Sequence, residues 1–243
     1  MPMTLGIVQA RVGSTRLRNK VTRRLGGKSL LEWVIRRVTD SQRLDAVIVA
    51  AGAAPENAAL AELIPSDVPL FIGSEHDVLK RYVDAIDEYQ PDAVVRICAD
   101  NPFVDPNLID RLVDTADKHP ECDYISYRMS NGKPVILSSV GVFAEWCRAD
   151  ALKRADELAT SAADQEHVTR VLYSRPDEFQ VRFMQAPADL DCEDLRLTVD
   201  LEEDWDTTET IFDARAPEGL DWEQITGLLR HQPALRRRMA ELN

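Results

Sequence analysis

The sequence predicts an α/β fold with a doubly wound, mostly parallel sheet. Short apolar runs of strand length recur along its first half, and each is followed by a segment whose apolar residues have helical spacing. The strand segments are apolar throughout instead of alternating with polar residues. Such strands are buried on both faces, so helices must cover both sides of the sheet.

The first half of the chain alternates strands with helices. Apolar runs predict strands at residues 5–10, 46–52, 69–73 and 92–100. Helical spacing of apolar residues predicts helices at 29–39, 55–64, 75–89 and 105–119. Ser29 and Asp105 are suitable N-caps for the first and the last of these helices, and Pro106 occupies the first-turn position that proline tolerates.

The alternation becomes looser after Pro120. Strands are predicted on either side of the turn Gly132-Lys133-Pro134, at 122–127 and 135–144. Further along, the patterns predict helices near 148–158 and 161–174, strands at 178–185 and 195–199, a helix from near Glu202 and a helical tail at 221–241. No repeat or low-complexity linker marks a boundary, so we expect one domain over residues 1–243.

Charge and composition exclude several classes of function. The formal net charge of −13 argues against general binding to nucleic acid or to an anionic membrane, because the protein's field repels polyanions. The four cysteines have neither CxxC nor metal-site spacing and are expected to be reduced. The N-terminal stretch MPMTLGIVQA lacks a basic region followed by a long apolar stretch, and no apolar run has the length needed to span a bilayer, so we expect a soluble, cytoplasmic protein.

The loop after the first predicted strand is strongly basic. Residues 1–31 contain seven lysines and arginines and no acidic residue. Parallel sheets bind ligands outside the carboxyl ends of their strands, where this loop lies. Gly13, Ser14 and Thr15 allow a tight turn that presents backbone N–H groups. An arginine side chain can donate two parallel hydrogen bonds to the oxygens of a phosphate. The pattern favours a triphosphate site over a solvated basic loop.

The sequence lacks the motifs that identify two common classes of nucleotide-binding protein. Neither the GxGxxG motif of dinucleotide-binding proteins nor the GxxxxGK[ST] motif of P-loop proteins is present.

Asp100 and Asp200 each end an apolar run, so their carboxylates are expected at the same sheet edge as the basic loop. The structural alternative is that each caps the helix that follows. Glu203 and Asp204 are interpreted as solvated helix positions.

Several segments together resemble one enzyme family, the cytidylyltransferases that make CMP-activated sugars. The likeness is to the spore-coat polysaccharide group and to the CMP-Kdo and CMP-sialic acid synthetases, and it spans most of the chain. The segments are ARVGSTRLRNK, LGGKSLLEWVI, FIGSEHDVLKRY (71–82), VVRICADNPFVDP (94–106), QEHVT (165–169) and LRLTVDLEED (195–204). The resemblance implies the Rossmann-like fold of nucleotide-diphospho-sugar transferases.

The resemblance also implies a reaction and a set of site residues. CMP would be transferred from CTP to a sugar or sugar acid, with release of pyrophosphate and with Mg²⁺ held between Asp100 and Asp200. Arg11, Lys20 and these two aspartates are the expected catalytic groups. The loop residues expected to hold CTP are Ala10, Arg11, Gly13, Ser14, Arg16 and Lys20, with Gln9 beside the base and Lys28 as a weaker phosphate contact.

Acceptor contacts and a dimer are implied in the same way. The resemblance points to Ser74, Asp77, Arg81, Glu166 and His167 as substrate-binding residues. A lone histidine on a helix is otherwise more often a structural residue. We also expect a homodimer, with residues 120–185 as a dimerisation or acceptor subregion. Its partners would be CTP and the acceptor, with no nucleic acid and no membrane.

Two departures from the family pattern keep alternatives open. Relatives carry Pro-Gly before the loop lysine, whereas this chain has Arg18-Asn19, so the loop's end is expected to follow another path. Spore-coat relatives carry Gly-Leu-Asp-Val-Glu where this chain has LSSVGVFAEW (137–146), so the acidic groups of the acceptor side are expected to be missing. A non-catalytic scaffold homologue, or a nucleotidyltransferase with another nucleotide or a non-sugar acceptor, is the alternative.

Overall fold

The computed structural model describes residues 2–14, 16–215 and 219–243. Thr15, in the predicted phosphate loop, lies outside the described residues. The strands are β1 (Thr4–Ala10), β2 (Arg24–Leu25), β3 (Lys28–Ser29), β4 (Ala46–Gly52), β5 (Leu70–Gly73), β6 (Ala93–Cys98), β7 (Tyr124–Arg128), β8 (Glu145–Arg148) and β9 (Val181–Gln185).

Helices occupy most of the connections between the strands. The α-helices are α1 (Leu30–Thr39), α2 (Val78–Tyr89), α3 (Pro106–Lys118), α4 (Ala149–Leu158), α5 (Ala162–Glu166), α6 (Arg170–Ser174), α7 (Glu202–Arg215), α8 (Trp222–Arg230) and α9 (Pro233–Leu242). Short 3-10 helices lie at Lys20–Thr22, Pro55–Glu62 and Val135–Leu137.

One sheet with the strand order β5-β4-β1-β6-β8-β7-β9 forms the centre of the fold. β1 pairs in parallel with both β4 and β6, while β8 is antiparallel to β6 and β7. The chain runs outward from β1 through β4 to β5 and then returns to place β6 on the other side of β1. This reversal creates a crevice between the carboxyl ends of β1 and β6, where open α/β sheets bind ligands.

Apolar side chains form a core on each face of the sheet. Val8 and Ala10 of β1 pack with α1 and α3 on one face, whereas Leu5 and Ile7 pack with α2, α4 and α6 on the other. Alternate residues of a strand point to opposite faces, so a strand covered on both sides must be apolar throughout. The predicted doubly wound, mostly parallel α/β fold is confirmed.

The helix caps follow the sequence prediction. The Ser29 hydroxyl accepts a hydrogen bond of 3.0 Å from the Glu32 N–H at the start of α1. Asp105 accepts from the N–H groups of Asn107 and Leu108 at the start of α3, and its second oxygen accepts from the Trp222 N–H. The Asp105 carboxylate therefore also joins α3 to α8 in the interior.

The predicted strand at 135–144 is wrong. Val135–Leu137 is a 3-10 helix, and the strand of this region is β8, which begins at Glu145. Gly141 has φ of 68°, a value that interrupts a strand, and the Ser139 carbonyl accepts from the N–H groups of Leu197 and Thr198. This apolar segment therefore packs beside residues 195–199, which are also not a strand in the described structure.

Three other boundaries differ from prediction. Residues 55–64 are a 3-10 helix over Pro55–Glu62, and the helix predicted from 75 begins at Val78 because Asp77 caps it. The helix predicted at 161–174 is divided into α5 and α6. The break between them turns Thr169 into the interior, where its hydroxyl donates to Glu145. Within the described ranges, no helix has the length and apolar character needed to span a bilayer.

Candidate functional site: a cationic loop and two aspartates

Lys20 joins the basic loop to both predicted aspartates. Its ammonium donates to Asp100 Oδ2 at 3.0 Å, to Asp200 Oδ1 at 2.9 Å and to the Val199 carbonyl at 2.8 Å. Arg16 Nη2 lies 3.0 Å from the other oxygen of Asp200. The three segments predicted to meet at one sheet edge therefore do meet, at the crevice between β1 and β6.

Neither aspartate caps the helix that follows it. Asp105 caps α3, so the Asp100 carboxylate is left for Lys20. At the start of α7, Asp204 Oδ2 accepts from the N–H groups of Asp200 and Leu201, both at 2.9 Å. The structural alternative for Asp100 and Asp200 is therefore wrong.

Asp204 is a buried support of the site and not the solvated residue predicted from its sequence position. Its two carboxylate oxygens accept a bidentate pair of bonds from Arg196, at 2.7 and 3.0 Å. Because the same carboxylate holds the Asp200 N–H, it fixes the backbone from which the Asp200 side chain projects. Glu203 is exposed, as predicted.

Opposing effects set the charges of the Lys20 cluster. Burial lowers the pKa of Lys20, but the charge of Asp100 and the hydrogen bond to Asp200 raise it further, so the net pKa lies above its usual value. Burial raises the pKa of Asp200, but Lys20 and Arg16 lower it further, so the net pKa lies below its usual value. Both groups are therefore charged at neutral pH.

Asn19 provides the turn that brings Lys20 to the aspartates. It adopts the left-handed conformation, with φ of 55° and ψ of 27°, which glycine favours and asparagine tolerates better than most residues. Asn19 thus provides a left-handed turn of the kind that glycine adopts readily. Lys20 begins the 3-10 helix that follows.

The start of the basic loop is held by a buried asparagine. Asn57 is 1% exposed, and its Oδ1 accepts from the Val12 N–H at 2.9 Å. Its Nδ2 donates to the Gly52 carbonyl and to Glu75, which also accepts from the Ala54 N–H. Asn57 therefore ties the loop after β1 to the segments that follow β4 and β5.

The exposed part of the loop carries the predicted cations. Arg11, Gly13 and Arg16 are exposed, whereas Ala10 is buried at the end of β1. The backbone turns tightly as predicted, but the Ser14 N–H already donates to the Val12 carbonyl at 2.8 Å. Lys28, the weaker candidate, lies in β3 with its ammonium 5.2 Å from the ring centre of Trp33.

A cleft of about 500 Å³ extends from the Lys20 cluster across the carboxyl end of the sheet. Arg16, Asp100 and Asp200 border it at one end, and Arg96, Cys98, Glu145, His167, Thr169, Arg170 and Tyr173 also line it. Its size suits a small-molecule ligand. Burial raises the pKa of the Cys98 thiol to about 11. Cys98 therefore lines the cleft as an uncharged thiol at neutral pH and does not act as a nucleophile.

Arg96 and Glu145 form a buried ion pair that the sequence interpretation missed. Arg96 Nη1 donates to Glu145 Oε2 at 2.5 Å, and the two residues are register partners on β6 and β8. Residues 137–146 therefore place one acidic side chain, Glu145, in the wall of the cleft. An arginine inside the apolar strand VVRIC was the available signal, because a buried charge needs a partner.

The predicted substrate contacts fall into two groups. His167 borders the cleft at the break between α5 and α6, and Glu166 beside it is exposed. Ser74, Asp77 and Arg81 instead organise the start of α2. Asp77 accepts from the Lys80 N–H, the Ser74 hydroxyl accepts from the Asp77 N–H, and Arg81 donates to the carbonyls of Ser74 and Glu75.

The donor set at the crevice fits a magnesium ion. Among the described residues, no three acidic, histidine or cysteine side chains converge as a metal cluster. Asp100 and Asp200 both face the point that the Lys20 ammonium occupies in this structure, so a metal ion held by both carboxylates would take the place of that ammonium. Mg²⁺ commonly takes one or two protein carboxylates and completes its shell with water and substrate phosphates. The two aspartates are therefore the residues that could hold such an ion.

The chain is similar to proteins of known sequence over most of its length. A family model for cytidylyltransferases matches residues 5–230. The chain is 32% identical over 246 residues to the spore coat polysaccharide biosynthesis protein SpsF of Bacillus subtilis, covering 98% of each. It is 30% identical over 200 residues to a 3-deoxy-manno-octulosonate cytidylyltransferase of Bdellovibrio bacteriovorus, covering 75% of this chain and 78% of that protein.

A solved structure shares the fold over nearly the full length. A cytidylyltransferase from Leptospira borgpetersenii superimposes with a TM-score of 0.86 and covers 97% of both chains, at 22% sequence identity.

Proposed function

This chain belongs to the cytidylyltransferase family, and on that premise we propose that it transfers CMP from CTP to a sugar acid for glycan biosynthesis. The observation that supports this most is the meeting of Lys20, Asp100 and Asp200 at the crevice between β1 and β6. The cluster combines cations for phosphates with carboxylates for a metal, beside a cleft that can hold the acceptor.

The basic loop is proposed to bind the triphosphate. Arg11, Arg16 and Lys20 supply the positive charge, and the turn at Gly13 and Ser14 brings the backbone close to the phosphates. Ala10 lies at the end of β1, where the base of CTP would sit against the strand ends. In an acidic protein this local cluster is what attracts the nucleotide.

Asp100 and Asp200 are proposed to hold Mg²⁺. Bound there, the ion would neutralise phosphate charge and stabilise the leaving pyrophosphate. Asp204 and Arg196 keep the Asp200 backbone in place for this task. Lys20 and Arg16, which pair with these carboxylates in this structure, would turn to the phosphates when the ion is bound. The protein's main contribution is alignment and fixed charge, with no covalent intermediate on the enzyme.

The proposed reaction is a single displacement. An acceptor hydroxyl oxygen attacks the α-phosphorus of CTP, the bond from that phosphorus to the β-phosphate oxygen breaks, and pyrophosphate leaves. The hydroxyl proton is released, and the product is a CMP-activated sugar acid. His167 and Arg170 line the cleft, where they can contact the hydroxyls of the acceptor.

We further propose a cytoplasmic homodimer. Residues 120–185 include Leu137, a large apolar side chain that is 53% exposed, as expected for part of an interface. Nucleoside triphosphates are cytoplasmic metabolites, and the four cysteines are free thiols, which suits that compartment.

Pyrophosphate release tests the proposed function. The protein is incubated with Mg²⁺, one nucleoside triphosphate (CTP, UTP, ATP or GTP) and one acceptor. The acceptors are 3-deoxy-manno-octulosonate, N-acetylneuraminate and a set of sugar phosphates. We expect release with CTP and a sugar acid, and its loss in Asp100→Asn. Binding of CTP without turnover on any acceptor would favour a non-catalytic homologue, and equal turnover with all four nucleotides would contradict cytidylyl transfer.

A further inference from the structure

The point between the two aspartates is already occupied by a cation of the chain itself. An ammonium group has three N–H donors, and Lys20 donates them to Asp100, Asp200 and the Val199 carbonyl, at 3.0, 2.9 and 2.8 Å. The Lys20 side chain is 11% exposed. Lys20 is therefore fully paired, and its ammonium fills the point at which both carboxylates could meet a metal ion.

The charges of this cluster are balanced before any ligand arrives. Lys20 pairs with both aspartates, and Arg16 pairs with the other oxygen of Asp200, so two cations face two carboxylates. A free divalent cation at the same point adds positive charge that these four groups do not offset. Because two cations that share one pair of carboxylates repel each other strongly, the ion can enter only if the ammonium leaves.

The neighbouring segments offer a displaced ammonium little in exchange. The basic loop carries no carboxylate, since residues 1–31 contain no acidic residue. At the start of α7, Glu202 accepts from both Nη groups of Arg23. Asp204 accepts from Arg196. A free metal ion must therefore break charge-assisted hydrogen bonds and return the ammonium to water, which weakens its binding.

We propose that Lys20 excludes free divalent ions from Asp100 and Asp200, so that the site takes its metal only together with the triphosphate, an inference that rests on the proposed function. Phosphate oxygens of the nucleotide replace the acceptors that Lys20 loses. The negative charge of the triphosphate also offsets that of the incoming ion. The ammonium passes from carboxylates to phosphates as the ion takes its place, so the ligand of the site is the metal–nucleotide complex.

Two competing explanations differ from this one in what they predict for the metal alone. If two aspartates are too few ligands for a free ion, the ion binds no better when the lysine is removed. If Lys20 acts only as a nearby positive charge, removing Arg16 has a similar effect. Exclusion by occupation predicts a gain that is large for Lys20, small for the exposed Arg16 and dependent on the carboxylates.

The test measures the binding of Mn²⁺ without nucleotide, by electron paramagnetic resonance of the free ion. Lys20→Met removes the charge at similar length, and Lys20→Gln is a second neutral variant that can still donate to a carboxylate. Arg16→Met removes a charge that does not occupy the shared point. Lys80→Met is the matched control, since Lys80 pairs with Asp84 on α2, outside the cluster. Lys20→Met combined with Asp200→Asn shows whether the ion binds at the cluster.

We expect Mn²⁺ to bind Lys20→Met and Lys20→Gln about 10- to 100-fold more tightly than wild type, the factor that charge-assisted hydrogen bonds provide. Arg16→Met should gain no more than about 5-fold, as for an exposed ion pair, and Lys80→Met should match wild type. The gain should disappear when Asp200→Asn is added. Equal affinity in wild type and both Lys20 variants, or a gain that survives Asp200→Asn, overturns the proposal.

Crystals of the wild type provide a second test that needs no variant. With Mn²⁺ alone we expect no anomalous peak between Asp100 and Asp200, whereas with Mn²⁺ and CTP we expect that peak and the Lys20 ammonium on a phosphate. A peak with Mn²⁺ alone overturns the proposal, and so does an ammonium that stays on the carboxylates when CTP and the ion are bound.

The same measurements separate this inference from the proposed function. Turnover of CTP by the wild type, without tighter Mn²⁺ binding in the Lys20 variants, contradicts the inference and leaves the proposed function standing. Tighter Mn²⁺ binding in those variants, without turnover of CTP by the wild type, supports the inference and contradicts the proposed function.

Discussion

Lys20 donates a hydrogen bond of 2.9 Å to Asp200, although 180 positions of the chain separate the two residues. The same ammonium also donates to Asp100, so the end of the basic loop lies within hydrogen-bonding distance of both carboxylates. The sheet topology causes this meeting, because β1 and β6 are neighbours at the point where the strand order reverses. Each prediction below depends on this cluster or on the residues that position it.

Removing either carboxylate should suppress the chemical step. For Asp100→Asn and Asp200→Asn we expect kcat for pyrophosphate release to fall by about 100-fold or more, because the charge that develops on the leaving group would lose the proposed metal ion. Asp206→Asn is the matched control, since Asp206 is an exposed residue of α7 that pairs with Arg238. Normal turnover in both site variants would remove the aspartates from the mechanism.

Acid should weaken the contribution of Asp200 to stability. The pKa of Asp200 is lower in the folded chain than its usual value of about 3.9, so its carboxylate stabilises the fold above that pH and loses this effect as pH falls through the folded pKa. We expect wild type to exceed Asp200→Asn in free energy of unfolding at about pH 7, and the gap to shrink as the pH falls below the usual aspartate pKa of about 3.9. Denaturant titrations across this pH range measure it, with Glu203→Gln as control. A gap that does not change with pH would contradict the assignment.

The left-handed turn at Asn19 predicts opposite effects of two small substitutions. Asn19→Gly should keep or raise stability, because glycine adopts positive φ without strain, whereas Asn19→Ala should cost about 1 kcal/mol. Chemical denaturation measures both, and Arg18→Ala, at the exposed neighbouring position, is the control. If glycine proved as costly as alanine, the backbone conformation would not be the reason for the effect.

Asn57 should act on CTP binding through the loop. Asn57→Ala removes the acceptor for the Val12 N–H, so we expect the KM for CTP to rise by about 10-fold while kcat changes less, together with a stability loss of about 1–3 kcal/mol. Glu62→Ala, an exposed change in the same 3-10 helix, is the control for stability. An unchanged KM with lowered stability would make Asn57 a purely structural residue.

The elements of the first half were predictable because local chemistry fixes them. Apolar runs mark β1, β4 and β6, and Ser29 and Asp105 make the cap bonds expected of their positions. The meeting of the loop with Asp100 followed from the rule that parallel strands end at one edge. Asp200 instead follows an irregular segment, and the bonds of its backbone to Asp204 and of its side chain to Lys20 place it at the same edge.

For the second half of the chain, the predictions failed where tertiary contacts override the pattern of apolar residues. Residues 135–144 are apolar enough for a strand, but Gly141 and the bonds from Leu197 and Thr198 to Ser139 give them an irregular path. With β8 misplaced, the pairing of Arg96 with Glu145 could not be derived. Asp204 was misjudged because its partner, Arg196, lies on an irregular segment before the helix.

The most direct test of the central claim is a crystal structure of the protein with CTP and Mn²⁺, the latter read by its anomalous signal. We predict an anomalous peak between the carboxylates of Asp100 and Asp200, with the triphosphate along residues 10–20 and in contact with Arg11 and Arg16. A metal peak remote from these aspartates, or a triphosphate that points away from the basic loop, would contradict the account.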